Sequence, residues 1–260
     1  MNLNYEEQVE NQSYIYNYFK TSIDETSDEL KLEVKNFISR IELILSCKYS
    51  FENNTLSSDE LETYVFMLKL SESWFVHEEI LKIASSYGYK TEKPKNKNKF
   101  SVADSIQDAL AMPKDFCNTQ KPYGKPGFFN ETKIRDAYLE FLFENEMSTF
   151  KKYLNSIFKL RKNARESVQD YIFYLESKSL GSQKGYLLES YNRLTTGPEI
   201  TPVNIMSVAY AVRNQYVHDG EVIDSGIEDY QIKCELLKAC YNFVISYSLI
   251  IATQICSDKN

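Results

Sequence analysis

TPVNIMSVAYAVRNQYVHDG, residues Thr201 to Gly220, decides how this chain is read. Thr201 offers an N-cap, and Pro202 stands at the first helical position, where its missing N–H costs nothing. Apolar residues follow through Met206, Ala209, Tyr210 and Val212, and Asp219-Gly220 ends or bends the helix. Just beyond, Ser225-x-x-Glu228 signals another helix start, with Ile232, Leu236, Cys240, Phe243, Tyr247 and Ile251 at helical spacing behind it. Long helical periodicities in a chain with only 8 glycines and 6 prolines among 260 residues predict an all-α fold, an antiparallel helical bundle.

The same reading extends towards the N-terminus. Residues 3–20 are weakly amphipathic. Thr26-x-x-Glu29 is a capping box before Leu30, Val34, Phe37, Ile38, Ile41, Ile44 and Leu45. Ser57-x-x-Glu60 opens a longer helix with Leu61, Tyr64, Val65, Leu68, Phe75 and Leu81 on one stripe and Gly88 as its C-cap. A lysine-rich loop, Lys90 to Lys99, a short helix over about 102–112 and PKDFCNTQKPYGKPGFF (113–129) follow. That proline-rich segment is the best domain boundary, dividing an N-terminal helical region (1–130) from a C-terminal bundle (131–260). Helices resume at about Glu131 with Ile134, Tyr138, Phe141 and Leu142, continue through Phe150, Tyr153, Leu154, Ile157 and Phe158, and recur from Arg165 to Ser177.

Composition narrows the function. With 43% apolar and 26% charged residues the chain has the make-up of an ordinary globular protein. A net charge of −7 supplies no global attraction to nucleic acid, so RNA contact requires a local basic patch. Cys47, Cys117, Cys234, Cys240 and Cys256 form no CxxC pair, which predicts reduced thiols and no structural zinc. The opening MNLNYEEQVENQ is polar and acidic and reads as no secretory signal. The most apolar run, Ala239 to Thr253, is interrupted by polar residues and reads as a buried core helix, so the expected setting is the cytoplasm without membrane contact. Glycine scarcity and the lack of a Gly-rich phosphate loop argue against a nucleotide-binding α/β domain, and no carboxylate array is built for a metal.

The chemistry concentrates in Arg213 to His218. On a continuous helix these two residues sit roughly 140° apart, so they share a face only if the helix bends at Val217 to Gly220. Asn214 and His218, four apart, share one, which predicts an amide–imidazole hydrogen bond fixing the tautomer. An imidazole can take the proton of an RNA 2′-OH, and a guanidinium can hold phosphoryl oxygens as charge develops. One motif lacks the second proton shuttle that the leaving 5′-oxygen needs. A two-fold dimer bringing two motifs together supplies it.

RNQYVH resembles the R-x4-6-H signature of HEPN (higher eukaryotes and prokaryotes nucleotide-binding) domains, in the form Arg, polar residue, three spacers, His. The placement between the last two helices of a small bundle is similar too, over about the last 130 residues. The resemblance implies a metal-independent endoribonuclease of toxin–antitoxin or antiviral-defence type, a homodimer with its paired motifs in an interface cleft. It makes Arg213 and His218 the catalytic pair and Asn214 their support, with RNA as substrate, an antitoxin or regulatory protein as a further partner, and no cofactor or metal. HEPN folds also include non-catalytic modules that bind a nucleotide or a partner, which is the alternative. Some HEPN toxins carry a modifiable tyrosine two positions after the histidine; here that position is Gly220, so that control is not expected.

His77, beside Trp74, Glu78 and Glu79, is the other imidazole and reads as structural or solvated rather than as a second shuttle. Lys152, Lys159, Lys162 and Arg165, interleaved with aromatics, are the candidate RNA-binding residues, with Tyr153 and Phe158 expected in the core. Lys90 to Lys99 reads as a solvated loop or a phosphate-tracking one.

Overall fold

The computed structural model describes residues 5–50, 55–87, 137–180, 183–196, 200–218, 226–227 and 229–259. Within them the chain is all-α: α1 (Tyr5–Asp24), α2 (Asp28–Glu33), α3 (Lys35–Ser46), α4 (Ser58–Ser86), α5 (Ala137–Ile157), α6 (Ala164–Lys178), α7 (Gln183–Thr196), α8 (Pro202–His218) and α9 (Tyr230–Lys259). The lysine-rich loop, the helix expected near 102–112, the proline-rich segment and Gly88 lie outside the described residues.

The core is organised by α9, which packs against α1, α4, α5, α6 and α8. It is long and apolar enough to cross a membrane by length and composition, yet its most apolar 18-residue window is 100% buried inside the fold. A helix apolar on all sides has no face to offer water, so neighbours must surround it. Contacts at both ends set the directions. Thr63 and His77 of α4 meet Tyr230 and Ser248, so α4 runs alongside α9. Gln8 and Gln12 of α1 meet Ala239 and Asn242 in the same sense. Tyr153 and Phe143 of α5 meet Glu235 and Tyr247, so α5 runs against it. Helices from both halves of the chain thus share one core.

The helix starts show which capping signals compete successfully. The Ser57–Glu60 box forms in full: Ser57 N–H donates to Glu60 Oε2 at 2.6 Å and Glu60 N–H to Ser57 Oγ at 3.3 Å. Thr26 instead donates its hydroxyl to Ile23 O, closing α1, and Ser27 caps α2 by accepting from Leu30 N–H. The helix expected from there to Leu45 is kinked at Val34, which closes α2 and opens α3. At α8, Asn204 Oδ1 accepts from both Thr201 N–H and Thr201 Oγ1, and Pro202 takes the first position as expected. For α9 the cap is Asp229, whose Oδ1 accepts from Ile232 N–H; Ser225 and Glu228 lie outside the described residues.

Between α8 and α9, Gly226 adopts φ +76, and a Cβ placed there would meet Tyr174 Cδ1 at 2.4 Å. Gly185, on α7, has nothing within 4 Å of such a Cβ. Gly226→Ala is therefore expected to destabilise the protein by about 1–3 kcal/mol, since both backbone strain and overpacking oppose it. Gly185→Ala should be neutral or stabilising by up to about 1 kcal/mol. Urea unfolding of the two variants checks the opposite signs.

Two expected stripes are rotated. On α4, Leu61, Tyr64, Val65, Leu68 and Phe75 are only half-buried, while Thr63, Met67, Ser71, Trp74 and His77 face inward. On α5, Tyr138 and Phe141 are exposed, and Leu139, Leu142 and Phe143 take the core positions. A helix apolar over most of its circumference, as α4 is, lets small polar residues occupy the tightest contact line. The thiols of Cys234, Cys240 and Cys256 are buried, and burial pushes each up to about 12, so they are inert core residues at neutral pH.

Candidate active site

The end of α8 is fixed by α4, which runs against it. Trp74 packs on Tyr210 with ring centroids 5.0 Å apart, and further along Tyr64 meets Tyr216 edge to face at 6.1 Å, hydroxyls 3.3 Å apart. Burial and the Tyr64 hydroxyl push Tyr216 above the usual tyrosine range, so it stays protonated at neutral pH. Between these anchors α8 carries Arg213 and Asn214, both half-buried, and just beyond Tyr216 comes the exposed His218.

The structure brings Arg213 and His218 together with no bend in α8 before His218. α8 remains helical through His218, and the Arg213 side chain spans the angle itself: Nη1 lies 3.1 Å from His218 Nε2. Asn214 plays a different part from the one its i,i+4 spacing suggested. Its Oδ1 accepts from the same Nη1 at 3.0 Å, so the amide holds the guanidinium rather than the imidazole. The reason is reach: the arginine folds back over its neighbour and presents a charged donor, a stronger partner for an amide oxygen than a neutral ring.

A guanidinium can only donate, so in this arrangement Nε2 is the acceptor and the imidazole is neutral with its proton on Nδ1. The guanidinium lies over the Phe75 ring of α4, Cζ 4.9 Å from the centroid, and Arg213 Nε is buried without a hydrogen-bond partner. Phe75 was visible in the sequence only as one member of an apolar stripe.

His77 is 1% exposed, with Nδ1 3.1 Å from Ser248 Oγ and its ring between Trp74 and Tyr247. It is a core histidine, and no solvent-borne substrate reaches it. The basic residues divide. Lys152 is paired with Glu7 at 2.5 Å and Arg165 covers the Phe158 ring at 4.3 Å, while Lys159 and Lys162 are exposed. Tyr153 is buried and hydrogen-bonded to Glu235; Phe158 is half-buried. The turn carrying Lys159 and Lys162 is tied to the start of α9 by Arg161, which pairs with Asp229 at 2.7 Å and donates to Gln231. Thr63 Oγ1 donates to Tyr230 O, and Tyr216 meets Tyr64, so this turn and the tip of α8 lie at the same end of the bundle.

Among the described residues no group of three or more His, Cys, Asp or Glu is arranged to hold a metal ion. Comparison with protein-family models, with curated proteins and with solved structures returns no match for this chain.

Proposed function

We propose that this protein is a metal-independent endoribonuclease of the HEPN type, active as a homodimer and working in the cytoplasm on RNA. The observation that carries the reading is the approach of the Arg213 guanidinium to the His218 imidazole at the exposed tip of α8. In this pose the arginine occupies the lone pair that a general base needs. A phosphodiester offers the guanidinium charged oxygens, which bind it more strongly than a neutral imidazole does, so substrate itself releases Nε2.

The freed Nε2 takes the proton of the 2′-OH, and the 2′-oxygen attacks the adjacent phosphorus. The 5′-oxygen leaves with a proton from the His218 imidazolium of the second subunit. The products are a 2′,3′-cyclic phosphate and a 5′-hydroxyl, and the two protonation changes cancel across the dimer. Two Arg213 guanidinium groups hold the phosphoryl oxygens, each steadied by its Asn214. Lys159 and Lys162, exposed at the same end of the bundle, follow the RNA backbone beyond the scissile phosphate in this reading, with Lys152 and Arg165 already engaged by Glu7 and Phe158.

The test is incubation of the purified chain with total RNA in EDTA, alongside His218→Ala and Arg213→Ala. Wild-type cleavage alone, with cyclic-phosphate ends, supports the enzyme. No cleavage by any version favours a non-catalytic module that uses the same bundle to bind a partner or nucleotide. RNA affinity is expected to fall steeply with added salt, and Lys159→Gln with Lys162→Gln should flatten that dependence by about one phosphate contact each.

A further inference from the structure

We infer that Phe75, on α4 in the N-terminal part of the chain, is the positioning residue that aims Arg213 at the reacting phosphate; the inference rests on the ribonuclease reading above. Three observations converge on it. The α8 backbone is already fixed to α4 at Tyr210 and Tyr216, so the freedom left to the motif is that of side chains. An arginine has four rotatable bonds, and its contacts to Asn214 Oδ1 and His218 Nε2 both run through Nη1, which leaves its plane free to turn about that atom. The Phe75 face, 4.9 Å from Cζ, supplies the missing restraint: a guanidinium over an aromatic ring is held by charge–quadrupole attraction and by flat contact.

The orphaned Arg213 Nε fits this account. It is buried with no acceptor, and the neighbouring Asn214 amide oxygen is taken by Nη1 instead. With Nε unbonded, the guanidinium is held through Nη1 and by its contact with the ring. Held there, it directs Nη1 towards His218 Nε2, the point where a phosphate must enter. Phe75 is also only half-buried, on a helix whose tightest contact line is filled by other residues. The N-terminal helices thereby acquire a share in the chemistry, through one ring.

The experiment compares Phe75→Leu, which keeps most of the volume and loses the π face, with Phe75→Tyr, which keeps the ring. Two readouts require no RNA. The chain has 2 histidines and one is in the core, so the nitrogen-15 spectrum of His218 reports its tautomer cleanly. The Arg213 Nε–H resonance reports the ring current of Phe75. In Phe75→Leu the His218 proton should redistribute from Nδ1 towards Nε2 and the arginine resonance should lose its ring shift; Phe75→Tyr should retain both. In cleavage assays Phe75→Leu should lower kcat about tenfold with KM little changed, and Phe75→Tyr should restore it. Unchanged spectra in Phe75→Leu overturn the inference, as does wild-type cleavage by that variant. Wild-type protein that cleaves no RNA overturns the ribonuclease reading instead, and the spectra then judge the placement of Arg213 by themselves.

Discussion

On the proposed mechanism, His218→Ala is expected to lower RNA cleavage by about 10²–10⁴-fold, the range lost when a positioned acid–base group is removed. Arg213→Ala should lose a comparable factor, about 10²–10³, because it withdraws the donors that the proposed mechanism aims at the developing phosphoryl charge. Neither change should disturb the fold. His218 is exposed at the last residue of α8, and Arg213 is held by contacts at that same surface. The proposed dimer adds a sharper consequence. If each active site needs two imidazoles from two subunits, equal mixing of wild type with His218→Ala after subunit exchange leaves about a quarter of the dimers intact. Activity of the mixture should then be about a quarter of that of the same total amount of wild type. A protein that cleaves with one subunit's residues retains half. The mixing curve therefore separates the shared site from a self-sufficient one without a structure of the dimer.

What was legible in the sequence follows from how each segment earns its stability. α8 announces itself because its start carries a proline signal and its buried face is apolar, and α9 because of its apolar residues at helical spacing; the Ser57–Glu60 box at α4 forms as read. α1 gives only a weak periodicity because its buried line begins with Gln8, Asn11 and Gln12 before Ile15 and Phe19. Those amides are inside because α9 offers them Ala239 O and Asn242 Oδ1, partners some 230 residues away that no local window contains. α7 carries little local signal: among its residues whose burial is described, Leu187 is the buried apolar one, beside Gln183 and Ser190, and Gly185 sits in its first turn.

The site was legible as a string and not as a geometry. Angular spacing alone separates Arg213 from His218 unless the helix bends. A side chain as long as arginine crosses that angle without a bend, and in doing so it claims Asn214. Phe75 could not be assigned to the site from its own neighbourhood, since its meaning depends on α4 running against α8.

The seam between α1, α5 and α9 leads to the other large expected effect. Glu146 of α5 is fully buried there; Asn11 Nδ2 donates to its Oε2 at 2.5 Å, while Oε1, Gln8 Oε1 and Ser246 Oγ lack partners within bonding distance. Burial raises the carboxyl from 4.5 to about 7, against the lowering pull of the Asn11, Gln8 and Ser246 side chains, all of them neutral. A proton on Oε1 makes it a donor to the unpaired oxygens around it, which gives the burial effect a structural counterpart. The sign follows from linkage. The folded state holds this proton more tightly than the unfolded one, so the associated stability is complete below about pH 4.5 and is lost as pH rises through about 7. Glu146→Gln keeps the shape, supplies a permanent N–H donor and removes the titration. The variant should be more stable than wild type by about 3 kcal/mol at about pH 8, and close to it at about pH 4.5. Urea unfolding of both proteins across that interval measures the difference directly, and every other titrating group cancels between them. A stability difference that stays constant with pH would mean that the buried carboxyl keeps its ordinary affinity for protons.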